Sequence, residues 1–361
     1  MKNIYLKSIK IFFAVVFLLF SQLSFATKII FIIPDEKGPA FWRMVHDVSA
    51  AAAKSLGVQL EVIYGGANRF ATLEIIEGIV ARRIIPDYLI FRPFHGNAVS
   101  IFDLIEARDI LFVTLEQAFS RKEALQLQRP KQKYKHWIGE VAYDNVNGGE
   151  LLLNALLKAH RLRHPAIEPA VIGIGGDFDN LSVSRQQVLT NLDRSDDVRI
   201  NQIFPSYWDP EIITNNFEMM LERYPQTNIF LCAGDQLTIE IFEQHQLLSM
   251  TPIIVGGFDW LPDALLKIQQ GELTASVGGH FLMGAIAMTK IIDHQNGTGI
   301  FLSQPSLYNF EVITQENVNS YLDFFQQRKW REVNFNQFLA SKSGHQTRPL
   351  TVQNIIKSIK E

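Results

Sequence analysis

TKIIFIIPDEKGPAFWRMVHDVSAAAAKSLGVQLEVIY (27–64) decides the fold. Lys28 to Ile33 is an apolar, β-branched run with no polar alternation. Phe41 to Ser55 carries a helical pattern, and Gln59 to Tyr64 is a second short strand pattern. Strand runs without alternation suit parallel strands covered on both faces by helices.

The same unit recurs along the chain. Further strands are predicted at Tyr88 to Phe91, Ile110 to Leu115, Trp137 to Val141, Val171 to Gly175, Arg199 to Phe204, Asn228 to Cys232, Ile253 to Gly257 and Leu273 to Val277. Helical patterns fall between them, among them Thr72 to Arg83, Val146 to Ala159, Pro210 to Arg223 and Leu261 to Gln269. The architecture is α/β. It divides into two similar halves, one from Thr27 to about Val141 and one from about Asp144 to Val277. A last helix (Met283 to His294) and strand (Phe310 to Ile313) follow, and residues 328–361 are expected to be an appendage.

The N-terminus reads as an export signal. Lys2, Lys7 and Lys10 precede an apolar run from Ile11 to Phe20 that ends in Ser24-Phe25-Ala26. Cleavage is expected after Ala26; the run is short of the roughly 20 apolar residues that span a bilayer. The remaining 335 residues hold 31 basic and 37 acidic side chains. That balance argues against nucleic-acid binding. The one cysteine, Cys232, excludes an intrachain disulfide, and the length predicts two domains.

Ligands of open parallel sheets bind beyond the carboxyl ends of the strands, so the residues there are the candidates. Phe41 and Trp42 follow the first strand; an indole offers an apolar face to a sugar ring and one N–H donor. Glu116 and Gln117 follow the fourth and combine a carboxylate with an amide, as neighbouring hydroxyls require. Arg185 falls in the first turn of a helix predicted from Asp179, against the helix dipole, so an acidic neighbour or ligand oxygens should favour it. Trp208 stands before the N-cap and N1 pair Asp209-Pro210. Gly234-Asp235 and Phe258-Asp259 end two further strands, and each aspartate could be a helix cap or a hydroxyl acceptor.

No nucleophile elbow, HExxH, CxxC or Walker loop occurs, and Asp177-Phe178-Asp179-Asn180 lacks the glycine and glutamate of a calcium loop. Gly173 to Gly176 lacks dinucleotide spacing and reads as a tight turn. No catalytic constellation, metal site or cofactor is expected.

The order of these elements, with Tyr143 to Gly149 (YDNVNGG), Val255 to Asp259 (VGGFD) and Gly271 to Ala275 (GELTA), resembles the type I periplasmic binding proteins, nearest the ribose-binding and autoinducer-2-receptor branches. The resemblance covers about Lys28 to Thr314. It implies two Rossmann-like parallel-sheet lobes joined by a three-strand hinge near Val141 to Asp144, Val277 to Gly279 and Tyr308 to Phe310. The lobes would comprise residues 27–142 plus 279–308 and residues 143–278 plus 309–327. Trp42 and Trp208 would sandwich a ring, with Glu116, Gln117, Arg185, Gly234, Asp235 and Asp259 lining the cleft and Phe258 nearby.

Glu116-Gln117, Gly234 and Gly278 depart from the ribose-binding pattern, and a site built to hydrogen-bond a hydroxyl discriminates steeply. Ribose is therefore not the expected ligand. The resemblance implies a periplasmic receptor that closes around a sugar-like ligand and delivers it to the permease of an ABC importer. A receptor signalling through a membrane sensor kinase is the alternative. A secreted enzyme using Glu116, Asp235 and Asp259 as acid and base is a third class.

Overall fold

The computed structural model describes residues 26–34, 40–66, 68–116, 119, 121–177, 180–191, 198–248, 252–298, 307–343 and 348–360. Residues 1–25 of the expected signal peptide and Gln117 lie outside these residues.

The first half builds β1 (Lys28–Ile33), α1 (Ala40–Leu56), β2 (Gln59–Tyr64), α2 (Arg69–Val80), β3 (Tyr88–Phe91), α3 (Ala98–Glu106), β4 (Leu111–Leu115), α4 (Arg121–Leu127) and β5 (Trp137–Val141). The second builds α5 (Asn145–Arg163), β6 (Ala170–Gly175), α6 (Asn180–Asn191), β7 (Arg199–Pro205), α7 (Pro210–Arg223), β8 (Ile229–Cys232), α8 (Asp235–Leu247), β9 (Ile254–Phe258), α9 (Pro262–Gln270) and β10 (Ala275–Gly278). The chain then adds α10 (Met283–Gln295), β11 (Glu311–Thr314), α11 (Asn319–Gln326), α12 (Ala340–Ser343) and α13 (Val352–Lys360).

Two sheets result. One has the order β2-β1-β3-β4-β5 and is parallel throughout. The other has the order β11-β10-β9-β8-β6-β7, parallel except for β11, which runs antiparallel to β10. Central strands are apolar on both faces because helices cover both: in β1, Ile29 through Ile33 are all buried. The edge strands β2 and β7 are covered less and alternate more in polarity.

The chain passes between the lobes at 142–144, at Gly279 and at 308–310. Tyr143 and Tyr308 form a parallel bridge, and Tyr308 N donates to Ala142 O at 2.8 Å. Gly279 has φ 109, a backbone angle that glycine adopts without strain. After it, α10 packs on α1 of the first lobe, while β11 joins the second sheet.

Residues 328–343 and 348–360 pack into the fold and are not an appendage. Trp330, Phe335, Phe338, Val352 and Ile355 are buried in the core. Their aromatic and branched side chains were set in a polar stretch without clear periodicity, which hid them in the sequence. No helix among the described residues is long and apolar enough to cross a membrane.

Candidate functional site

A cavity of about 320 Å³ lies between the carboxyl ends of the two sheets. Pro34, Phe41, Trp42, Arg92 and Glu116 line it from the first lobe. Leu181, Arg185, Tyr207, Trp208, Gly234, Gln236, Leu237 and Asp259 line it from the second, and His280 lines it from the hinge. The lobes are closed on it: Arg185 is 2% exposed, Glu116 5% and Trp42 7%.

Much of the wall is set by strand ends. Arg92 follows β3, Glu116 follows β4, Gly234 closely follows β8 and Asp259 follows β9. Three of the turns carry non-glycine residues at positive φ: Glu116 (43), Tyr207 (54) with Trp208 (63), and Asp259 (112) with Trp260 (59). Such angles each cost about 1–3 kcal/mol and persist where packing over-determines them. Here they aim Glu116, Tyr207, Trp208 and Asp259 into one space, while Trp260 packs in the core.

Trp208 lies flat against backbone. A Cβ on Gly176 would meet its Cε2 at 2.1 Å, and one on Gly234 would sit 3.5 Å from its Cζ3 and 3.2 Å from Asp259 Oδ2. Gly234 therefore lines the cavity by leaving room. Gly176 follows the end of β6 and is the seat of the indole, so the GIGG stretch is strand and platform, not a tight turn.

Arg185 sits inside α6, past its first turn, so the dipole conflict expected from sequence does not arise. Its Nε donates to Asn145 Oδ1 (3.0 Å) and its Nη1 to Ala233 O (2.6 Å). Nη1 is 3.6 Å from Asp259 Oδ1, and the guanidinium lies 4.4 Å from the Phe258 ring centroid. A cation this buried is tolerated only when paired and hydrogen-bonded. On the opposite wall Arg92 Nε is 3.5 Å from Glu116 Oε2. Each cation of the described wall thus faces its own carboxylate.

His280 joins the two walls. Its ring stacks on Phe41 (4.4 Å, 26°), and its Nε2 lies 3.1 Å from Arg185 Nη2 and 3.2 Å from Asp259 Oδ1. That nitrogen stands between a donor and an acceptor and serves one at a time, according to tautomer. Burial holds the His280 pKa below the usual histidine value, a trend Arg185 reinforces and the bond to Asp259 opposes.

The structure brings Phe41, Trp42, Glu116, Arg185, Trp208, Gly234 and Asp259 together around the cavity. It does not bring Asp235 or Phe258 to the wall. Asp235 is fully buried and accepts from Leu261 N and Ser276 Oγ, each at 2.9 Å, which ties α8 to the segment after β9. Phe258 is the last residue of β9, so its side chain belongs to the sheet face and lies beneath Arg185. Sequence reasoning missed Arg92, Tyr207 and His280. Arg92 directly follows a predicted strand and could have been found by the rule that found Glu116. His280 was hidden behind Gly278, whose missing side chain makes room for the Trp260 indole 2.4 Å from where a Cβ would be.

The profile of the family described as "Periplasmic binding protein domain" matches residues 29–298. No curated protein sequence matches the chain significantly. Among solved structures, a periplasmic sugar-binding protein from Pseudomonas fluorescens is similar at 21% identity and TM-score 0.79, covering 92% of this chain and 99% of its own. An ABC transporter periplasmic solute binding protein from Actinobacillus succinogenes, with bound D-allose, matches at 19% identity and TM-score 0.69, over 82% of this chain and all of its own. The binding protein of the arabinose ABC transporter from Shewanella sp., bound to α- and β-L-arabinofuranose, matches at 14% identity and TM-score 0.69, over 89% and 100%. At these identities the likeness speaks for the fold.

Proposed function

The chain belongs to the periplasmic binding protein family, and we propose that it is an exported receptor whose lobes close around one uncharged sugar or sugar-like molecule and deliver it to an ABC importer. One observation carries this reading: Trp42 and Trp208 line one interlobe cavity whose cations, among the described residues, are each already matched by a carboxylate. Two indoles supply apolar faces for the C–H surfaces of a ring. Among the described residues, matched charges leave acceptors and donors for hydroxyls but no unmet charge for an anion. The volume, about 320 Å³, is at the low end of the roughly 300–1,000 Å³ of small-molecule sites, which fits a monosaccharide better than a longer chain.

Glu116 and Asp259 serve binding in this reading, because each is engaged with an arginine. A ligand that touches both walls binds the closed relation better than a more open one and so favours it. Import is favoured over signalling because two of the similar structures are described as parts of ABC transporters.

A thermal-shift screen of the mature protein against neutral pentoses, hexoses and polyols, with autoinducer-2 added, tests the proposal. A ligand at about 100 times its Kd stabilises by about 2.7 kcal/mol, so at least one neutral sugar should raise the melting temperature by several degrees. Trp42→Ala and Trp208→Ala should abolish that shift. If no compound stabilises the parent, or both variants respond as the parent does, the proposal fails.

A further inference from the structure

The C-terminal segment joins the two lobes again, outside the three hinge passages. From α11 on the second lobe the chain turns at Arg328 (φ 49) and reaches the first lobe. There Arg328 Nη1 lies 3.4 Å from Asp47 Oδ2 of α1. Phe335 N donates to Ser55 Oγ (2.8 Å) and Asn336 Nδ2 to Ser55 O (2.6 Å), both at the end of α1. The Asp293 carboxylate near the end of α10 accepts from Ala340 N (3.0 Å) and Ser341 N (2.9 Å). Farther along, α13 is back on the second lobe, where Gln353 Nε2 donates to Glu311 Oε2 at 3.0 Å and lies 3.2 Å from Tyr321 Oη.

The middle of this segment also backs the ligand cavity. Phe325 packs 5.4 Å from Phe281 and 6.3 Å from Trp260, centroid to centroid, and Trp330 closes the cluster at 6.3 Å from Phe325. Phe281 and Trp260 are the chain neighbours of His280 and Asp259, the pair 3.2 Å apart in the wall.

We infer that residues 319–343 and 348–360 form a strap that holds the lobes in their closed relation and restricts opening at the hinge. Hinges move because a few residues absorb the backbone change, and Gly279 can do so here. Any sizeable lobe rotation, however, must draw Phe335 and Asn336 off α1 or Phe325 off Phe281 and Trp260. Packed aromatic contacts of this kind do not stretch continuously; they hold or part. The strap acts on the hinge whatever solute the cavity takes, so it does not depend on the sugar proposal.

Pulsed electron paramagnetic resonance on the full mature chain, with nitroxides at Glu74→Cys on α2 and Val183→Cys on α6, tests this. Both positions are exposed, and the native Cys232 is fully buried. The parent should give one narrow interlobe distance without added ligand. Trp330→Ala combined with Phe335→Ala should broaden the distribution and shift it to longer distance. Because that pair removes two core side chains, a second variant, Arg328→Ala with Asn336→Ala, weakens the strap without a large cavity and should shift the distribution the same way, by less. Distributions that coincide with the parent's in every variant that circular dichroism shows to be folded would overturn the strap.

Discussion

Asp235 and Asp259 follow neighbouring strands of one sheet, and only Asp259 faces the cavity. Spacing places both at strand ends, but which way a side chain leaves the turn depends on backbone angles that spacing does not show. Asp259, at φ 112, is turned toward Arg185 and His280, whereas Asp235 opens α8 and caps the backbone of the next loop. Burial, with the charge of Asp259, pushes the Asp235 carboxyl well above its ordinary value of 3.8. A folded-state pKa raised above the unfolded value gives a contribution present in full at lower pH and lost as pH rises toward the folded value. Asp235→Asn should therefore lose less stability than the parent does between pH 4 and pH 8. Denaturant melts at the two pH values check this. Sugar binding should survive Asp235→Asn and be lost in Asp259→Asn; loss in both would return Asp235 to the site.

At the scale of elements, the helices and strands were largely legible because continuous apolar runs leave few alternatives for a strand buried on both faces. β1, β2, β3 and β5 fall on the predicted bounds, and α7 coincides with its predicted span. What the sequence did not show is how elements approach one another. Gly149 lets α5 approach α6 so closely that a Cβ would lie 2.3 Å from Arg185 O, and Gly176 holds the Trp208 indole. Gly176 reads from sequence as a turn residue and Gly149 as a helix position, because close approach leaves no local pattern. Gly176→Ala should displace the indole while leaving the sheet intact. We expect sugar affinity to fall at least about tenfold, roughly 1.4 kcal/mol, with the circular dichroism spectrum unchanged. Unaltered affinity in a titration followed by tryptophan fluorescence would remove Trp208 from the binding wall.

At the scale of the whole molecule, two sheets point their carboxyl ends at one another, and everything the cavity uses follows from that. Trp42 and Trp208 could be named from sequence because the carboxyl-end rule acts within each sheet separately. Arg92 and Glu116, at the ends of adjacent strands of one sheet, fall under the same rule, whereas the bridging by His280 could not be named, since it depends on how the two walls meet. The C-terminal residues escaped for the same reason: Phe335 gains its burial from α1, which lies some 280 residues earlier in the chain. Closure around an uncharged ligand is the central claim. Its most direct test is calorimetric titration with a matched pair, the neutral monosaccharide that stabilises the protein most and the acid formed by oxidising its terminal carbon. The neutral sugar should bind with the acid at least about a hundredfold weaker, roughly 2.7 kcal/mol, because Arg92 and Arg185 already face carboxylates. Equal or tighter binding of the acid would contradict it.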